Sequence, residues 1–206
     1  MKLIKIFAVF IVLFLTASAA SAAYDSGDGR YYRHFPRYQR DSAGNTTAPT
    51  TAPTDATGTT TVKLCSNNVC TVGGNGQVIT LTNYNNAVNP TYDQLIAFLK
   101  TDRTDEKPYT STYVCSDFAK TLHDSAEKSG ISAGWVGANG CNHAFNVFQT
   151  TDQGTIYIDC TGVPGGATLQ DKQLNVAVGQ PLTGKYLFRS SPVQMGCTVK
   201  SLLVYW

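Results

Sequence analysis

The chain has 206 residues, with 16 lysines and arginines against 14 aspartates and glutamates. Two of the basic residues lie in the first 22 residues, so the remainder carries 16 − 2 = 14 basic and 14 acidic groups and is formally neutral. Because it also has no cluster of Lys or Arg in its predicted folded part, it lacks the electrostatic footprint of nucleic-acid binding, and we exclude that class.

The first 22 residues have the three parts of a secretory signal peptide. Lys2 and Lys5 precede an apolar run over residues 6–15, and small residues follow up to Ala22, after which we expect cleavage. The apolar run has 10 residues, against about 20 for a bilayer span, so a retained membrane anchor is the less favoured alternative. The sequence therefore predicts a secreted or cell-surface protein.

Residues 23–61 are predicted to form a disordered, Thr/Pro-rich surface stalk. Residues 46–54 consist of Thr, Ala and Pro, which bury too little surface to offset the entropy of ordering, and Asn45 opens a glycosylation sequon. Residues 30–40 interleave Arg with Tyr and Phe, a composition that suits binding to a cell-surface polymer. A solvated tether whose charge is balanced by nearby aspartates is the alternative that we favour.

A single domain is predicted over residues 62–206, a common domain size. Short strands over residues 62–82 come first. A helix then opens at Thr91, with Gln94 at capping-box spacing ahead of an apolar run.

A second helix is predicted over residues 116–128, with Cys115 at its N-terminal edge and Gly130 just past its end. Further strands are predicted over residues 131–136, 144–149, 155–159, 174–178, 184–188 and 198–205. A helix bearing Cys115 packed on an antiparallel β-sheet is an α+β architecture.

Six cysteines in an exported chain indicate disulfides. Cys65 and Cys70 flank a predicted hairpin that turns at Asn67 and Asn68, which places the two thiols face to face, so we expect a bridge between them. If one of the other four cysteines is a free nucleophile, the remaining three form one pair and one odd thiol. Three bridges with no free thiol is the alternative.

Cys115 is the candidate nucleophile, because the N-terminus of a helix favours a thiolate. Such a thiolate needs a histidine base. His34 lies in the predicted stalk, and His123 is eight residues along the same helix, about 12 Å away. By exclusion, His143 is the candidate base.

The base in turn needs an acceptor that orients its ring. Asp159 ends the strand predicted to run back beside the histidine strand, whereas the rival Asn146 lies three residues from His143 and therefore points to the opposite face. Asp159 is the better third member. One alternative is that each of the three residues has only a structural role. Another is a zinc site with ligands from Cys141, His143, Cys160 or Cys197. The zinc alternative lacks paired C-x-x-C spacing, and we predict no metal and no cofactor.

Four segments in order resemble the successive core motifs of prokaryotic transglutaminase-like proteins: residues 113–119, 130–136, 143–148 and 156–161. The resemblance implies a papain-like, transglutaminase-like core in which Cys115, His143 and Asp159 are nucleophile, base and orienting acid. Gly134 stands where the family usually has arginine, and Thr155 where it often has tryptophan.

The expected function is thiol-dependent acyl transfer or amide hydrolysis, by a cysteine peptidase, an amidase or a transglutaminase. Extracellular proteins or cell-wall peptides are the expected substrates. The backbone N–H of Cys115 is the expected oxyanion donor, with Tyr109 or Tyr113 as candidates for a second donor. A non-catalytic cell-surface module that retains the fold for binding or structure is the alternative.

Overall fold

The computed structural model describes residues 58–206, together with the backbone of Gln39–Arg40. The predicted signal peptide lies outside the described residues, as does the predicted stalk apart from that dipeptide and its last few residues. None of the described helices is long and apolar enough to cross a membrane.

The described part of the chain is α+β and consists mostly of strands. Its strands are β1 (Gln39–Arg40), β2 (Thr59–Lys63), β3 (Cys65–Ser66), β4 (Val69–Cys70), β5 (Thr80–Tyr84), β6 (Gly134–Asn139), β7 (His143–Thr150), β8 (Gly154–Asp159), β9 (Lys172–Asn175), β10 (Pro181–Tyr186), β11 (Pro192–Thr198) and β12 (Ser201–Tyr205). Its helices are α1 (Tyr92–Leu99) and α2 (Cys115–Lys128), with a 3₁₀ turn over Thr104–Glu106.

Seven strands form one antiparallel sheet in the order β11-β10-β9-β8-β7-β6-β12. The last strand of the chain, β12, pairs with β6, so β6 and β7 both lie inside the sheet. Helix α2 packs against β6 and β7 on one face and against β5. The N-terminus of α2 meets the start of β7, where the side chains of Cys115 and His143 are in contact.

The apolar stripe of α2 forms the centre of the core, as its helical spacing predicts. Phe118, Leu122 and Ala126 are fully buried and cluster with Leu95 and Leu99 of α1 and with β7 and β8. The capping box of α1 is present: the Gln94 N–H donates to Thr91 Oγ1 at 3.2 Å, and the Thr91 N–H donates to Gln94 Oε1 at 2.8 Å.

The predicted hairpin at the first two cysteines is confirmed. Asn67 and Asn68 have φ values of 51° and 63°, the left-handed conformation that a two-residue hairpin turn requires. Cys65 and Cys70 are paired across the ladder and joined by a disulfide.

Several predicted strand boundaries were wrong, and β11 (Pro192–Thr198) was not predicted apart from its last residue. The strands expected over residues 174–178 and 184–188 are Lys172–Asn175 and Pro181–Tyr186. The strand expected over residues 131–136 is Gly134–Asn139, because the Ile131 N–H donates back to Ala126 O at the end of α2. The stretch expected as one strand over residues 198–205 is split between β11 and β12 by a turn. Strand β2 begins at Thr59, inside the last residues assigned to the stalk, because it pairs with β5.

Three acidic side chains of α2 bind β5 and the segment that leads into it. The N–H groups of Gly74, Thr82 and Tyr84 donate to Asp117, Asp124 and Glu127 at 2.8, 2.9 and 2.9 Å. At Gly74 a β-carbon would lie 2.7 Å from the main-chain carbon of Thr112, so only glycine allows this approach. The contact of Gly74 with Asp117 acts near the start of α2, which carries Cys115.

Candidate active site

Cys115 is a free thiol at the first residue of α2. The side chain of Asp117, two residues further on, accepts the Val114 N–H at 3.0 Å and so caps the N-terminus of the helix. The Cys115 side chain is 4 % exposed and packs in a cluster that includes Leu64, Leu81, Trp135 and Ala144. The thiol therefore lies at a helix N-terminus, within an apolar wall formed by the β2–β5 region and the sheet.

His143 is the first residue of β7 and is also 4 % exposed. It follows a tight turn in which Gly140 and Asn142 have positive φ values, 89° and 51°. A disulfide joins Cys141, two residues before the histidine, to Cys197 on β11. This bridge anchors the turn that presents the imidazole.

Asp159 is the last residue of β8 and is fully buried. Its Oδ2 lies 3.2 Å from Nε2 of His143, the distance of an ion pair when the imidazole is protonated. Its Oδ1 accepts the Thr161 N–H at 2.8 Å. One carboxylate oxygen is thus held by the backbone N–H two residues further on, while the other faces the histidine.

The three residues predicted from the sequence come together in the structure. Cys115 and His143 form a side-chain hydrogen bond, and His143 meets Asp159 on its other side. Since Nε2 faces the carboxylate, Nδ1 is the ring nitrogen available to the thiol. A helix, the start of one strand and the end of the next supply one residue each.

The rival residues lie elsewhere. The Asn146 amide donates to the carbonyl oxygens of Ala119 and Gly134 at 2.8 and 3.3 Å, so its side chain is held there and not by His143, from which strand alternation directs it away. His123 is buried, with Nδ1 2.9 Å from Asp124 Oδ1. His34 lies outside the described residues.

The hydroxyl of Tyr113, one of the two tyrosines considered for the oxyanion site, is bound away from Cys115. The Tyr113 hydroxyl lies 2.6 Å from Thr121 Oγ1, six residues along α2 from Cys115, or about 9 Å along the helix axis. The rings of Tyr113 and Tyr109 both contact Phe118. The backbone N–H of Cys115 is the donor that the helix geometry offers.

The electrostatics of the triad favour a protonated histidine. Burial alone would lower the pKa of His143, but the charge and close approach of Asp159, followed by the contact with Cys115, raise it to about 10. Burial likewise opposes ionisation of Asp159, yet the charges of Lys172 and His143 hold its pKa well below its ordinary value. The resting site therefore contains an imidazolium and a carboxylate.

Lys172 is the residue of this site that sequence reasoning missed. It is 6 % exposed, lies directly across the ladder from Asp159, and places Nζ 3.4 Å from Asp159 Oδ2. A signal was available, because Lys172 shares its strand face with the buried Leu174, two residues on. A lysine at a core-facing strand position needs a partner.

The remaining cysteines follow the arrangement expected for a free nucleophile: one pair, Cys141–Cys197, and one odd thiol, Cys160. The Cys160 Sγ donates to Phe118 O at 3.5 Å, and burial raises the pKa of this thiol. In residues 58–206, no group of three or more His, Cys, Asp or Glu side chains is arranged to hold a metal. The Cys141–Cys197 bridge also takes up two of the four ligands of the zinc alternative.

The raised pKa of His143 predicts how stability varies with pH. A group whose pKa is higher in the folded than in the unfolded chain stabilises the fold fully below its unfolded value, about 6.5 for histidine, and loses that effect as pH rises through its folded value, about 10. We therefore expect the free energy of unfolding to fall between about pH 6.5 and 10, as measured by urea denaturation.

The control is His143→Gln, in which this decline is expected to flatten. The comparison is needed because burial, followed by the charge of Asp105, raises the pKa of Asp171 to about 8, which adds a decline of its own below that pH. An identical pH dependence in wild type and variant would contradict the assignment.

Comparisons with protein-family models, with curated proteins and with solved structures gave no match. The fold and site define the class of protein only as an α+β domain with a buried Cys-His-Asp arrangement. Two disulfides fit a non-reducing environment.

Proposed function

We propose that this chain is a thiol-dependent acyltransferase or amide hydrolase built on a papain-like core of the transglutaminase-like type. The observation that carries the proposal is the convergence of Cys115, His143 and Asp159 from three separate elements, with the thiol free and the histidine in contact with both partners. Taken singly, each residue has an ordinary structural role. Together they form the nucleophile, base and orienting acid that acyl transfer needs.

The proposed reaction has two steps. The Cys115 thiolate attacks an amide carbonyl to form the C–S bond, and the His143 imidazolium gives its proton to the leaving amine as the C–N bond breaks. Water or a second amine then attacks the thioester, giving its proton to His143, and the thiolate leaves. The backbone N–H of Cys115 and the N-terminus of α2 face the oxygen that becomes negative.

The charges around the site suit a thiolate. Protonated His143 and Lys172 carry two positive charges, and Asp159 carries one negative charge. An anion at Cys115 Sγ would balance the excess within a buried region, where an uncompensated charge is costly.

The proposed setting is outside the cell, with proteins or cell-wall peptides as substrates and the N-terminal segment as a surface tether. Two disulfides support that setting. One observation favours the alternative, a non-catalytic surface module: Cys115 and His143 are each only 4 % exposed, so a substrate reaches the thiol only if the covering residues move.

Alkylation of the full chain with iodoacetamide at pH 7 distinguishes the two. Cys160, the other free and buried thiol, is the internal control. For an enzyme we expect Cys115 to be labelled faster than Cys160, and His143→Ala to slow that labelling by about 100-fold, the scale of a lost catalytic base. The matched variant His34→Ala should have no effect.

Labelling of Cys115 at the rate of Cys160, or at a rate that is insensitive to His143→Ala, would contradict the enzymatic proposal. Either result would leave the non-catalytic module as the function that the fold supports. Peptide mapping by mass spectrometry assigns the label to each cysteine.

A further inference from the structure

Lys172 is held in one geometry by contacts from three directions. Its Nζ lies 3.4 Å from Asp159 Oδ2 and donates to the carbonyl oxygen of Thr161 at 2.9 Å and to that of Asp159 at 3.4 Å. It also lies 5.6 Å from the centre of the Tyr186 ring, on the neighbouring strand β10. The ammonium group is thus aimed at the end of β8.

The same carboxylate oxygen, Oδ2 of Asp159, faces two cations. His143 Nε2 is 3.2 Å from it and Lys172 Nζ is 3.4 Å from it, while Oδ1 is taken by the Thr161 N–H. Lys172 also donates to the carbonyl oxygen of Thr161, the residue whose N–H binds the other carboxylate oxygen. Lys172 therefore contacts both the carboxylate and the residue that holds it. The orientation in which Asp159 meets the histidine therefore depends on the lysine.

A buried lysine is costly, and an apolar residue would fill a core-facing strand position without that cost. The surroundings explain its presence. Asp105 and Asp171 also lie close enough to feel its charge, as does the thiol of Cys160. Asp159 is the only one of these groups that the structure joins to Lys172 by a side-chain ion pair among the described residues.

We propose that Lys172 is a positioning residue of the candidate active site, which holds the Asp159 carboxylate against His143 and limits how strongly that carboxylate retains the imidazolium proton. The inference rests on the proposed function for its consequence in catalysis. Two cations share one carboxylate, so removing one strengthens its hold on the other. His143 would then release its proton to a leaving amine less readily.

The test uses Lys172→Met, which keeps the aliphatic stem, and Lys172→Gln, which keeps a hydrogen-bond donor. Removal of a positive charge makes every nearby group hold its proton more tightly, so we expect the rate–pH profile of Cys115 alkylation to move up by about one pH unit. That shift is roughly a tenfold slower reaction on the lower limb. Lys172→Arg should restore the profile, and Lys185→Gln, at an exposed position on β10, should not alter it.

Ring ¹⁵N chemical shifts of His143 give a second readout that needs no reaction. At pH 10, close to its pKa in the wild type, a larger fraction of the imidazole should stay protonated in Lys172→Met. A folded variant with an unchanged protonated fraction and an unchanged alkylation profile would overturn the proposal for Lys172 while leaving the triad intact. If Cys115 is inert in the wild type, the proposed function fails, and the ¹⁵N shifts still decide the role of Lys172.

If neither single variant folds, Asp159→Asn/Lys172→Met removes both charges together. We expect this double variant to be more stable than Asp159→Asn alone, because that single change leaves the Lys172 ammonium buried without its anion and the second change removes it. A double variant no more stable than Asp159→Asn would contradict the pairing of Lys172 with Asp159. Urea denaturation followed by circular dichroism makes the comparison.

Discussion

Asp159→Ala is expected to destabilise the protein by about 3–5 kcal/mol, the usual cost of removing one partner of a buried ion pair. The carboxylate is fully buried and is the shared partner of His143 and Lys172. Its removal leaves the Lys172 ammonium buried without its anion, takes away the charge that keeps His143 protonated, and leaves the Thr161 N–H without its acceptor. Urea denaturation at pH 7 measures the effect.

Asp93→Ala is the matched control, since Asp93 is exposed on α1 and its loss is expected to cost well under 1 kcal/mol. The Asp159 variant should also lose most of the decline in stability above pH 6.5, because the carboxylate is the main cause of the raised His143 pKa. A loss below about 1 kcal/mol would show that the carboxylate is not the charge partner that its position indicates.

The second large effect is expected from the disulfide beside the histidine. Cys141→Ser/Cys197→Ser removes a bridge between residues 56 positions apart, and loop-closure entropy gives about 4 kcal/mol for a loop of that size. The bridge also anchors the turn before His143. We therefore expect slower alkylation of Cys115 in the variant as well as a lower urea midpoint.

The chain contains its own comparison. Cys65→Ser/Cys70→Ser opens a bridge between residues only 5 positions apart, for which the same entropy argument gives about 2 kcal/mol. That pair lies in the β3–β4 hairpin, away from His143 in the chain. If both double variants lose equal stability and Cys115 reacts alike in both, the bridge at Cys141 has no special role in presenting the histidine.

Much of the site was predictable, because helix spacing and strand alternation act over a few residues and exclude the rival residues. Helix spacing places Cys115 at the start of α2, and the same spacing removes His123 as its base. Strand alternation separates Asn146 from His143, and the observed bond from Asn146 to Ala119 agrees with it. The prediction that Asp159 faces His143 needs only the hairpin formed by β7 and β8.

Sequence patterns alone are enough to place the elements whose signals lie within a few residues: the capping box at Thr91, the turn at Asn67 and Asn68, and the apolar stripe of α2. The folded chain was needed to show that β12 returns to β6, that Cys141 pairs with Cys197, and that Lys172 meets Asp159. These pairings join strands that are distant in the chain, and no local periodicity records which strands become neighbours or in what register. Lys172 illustrates the point. Strand alternation predicts that its side chain is buried, but the register of β9 against β8 is what places its charge beside the Asp159 carboxylate.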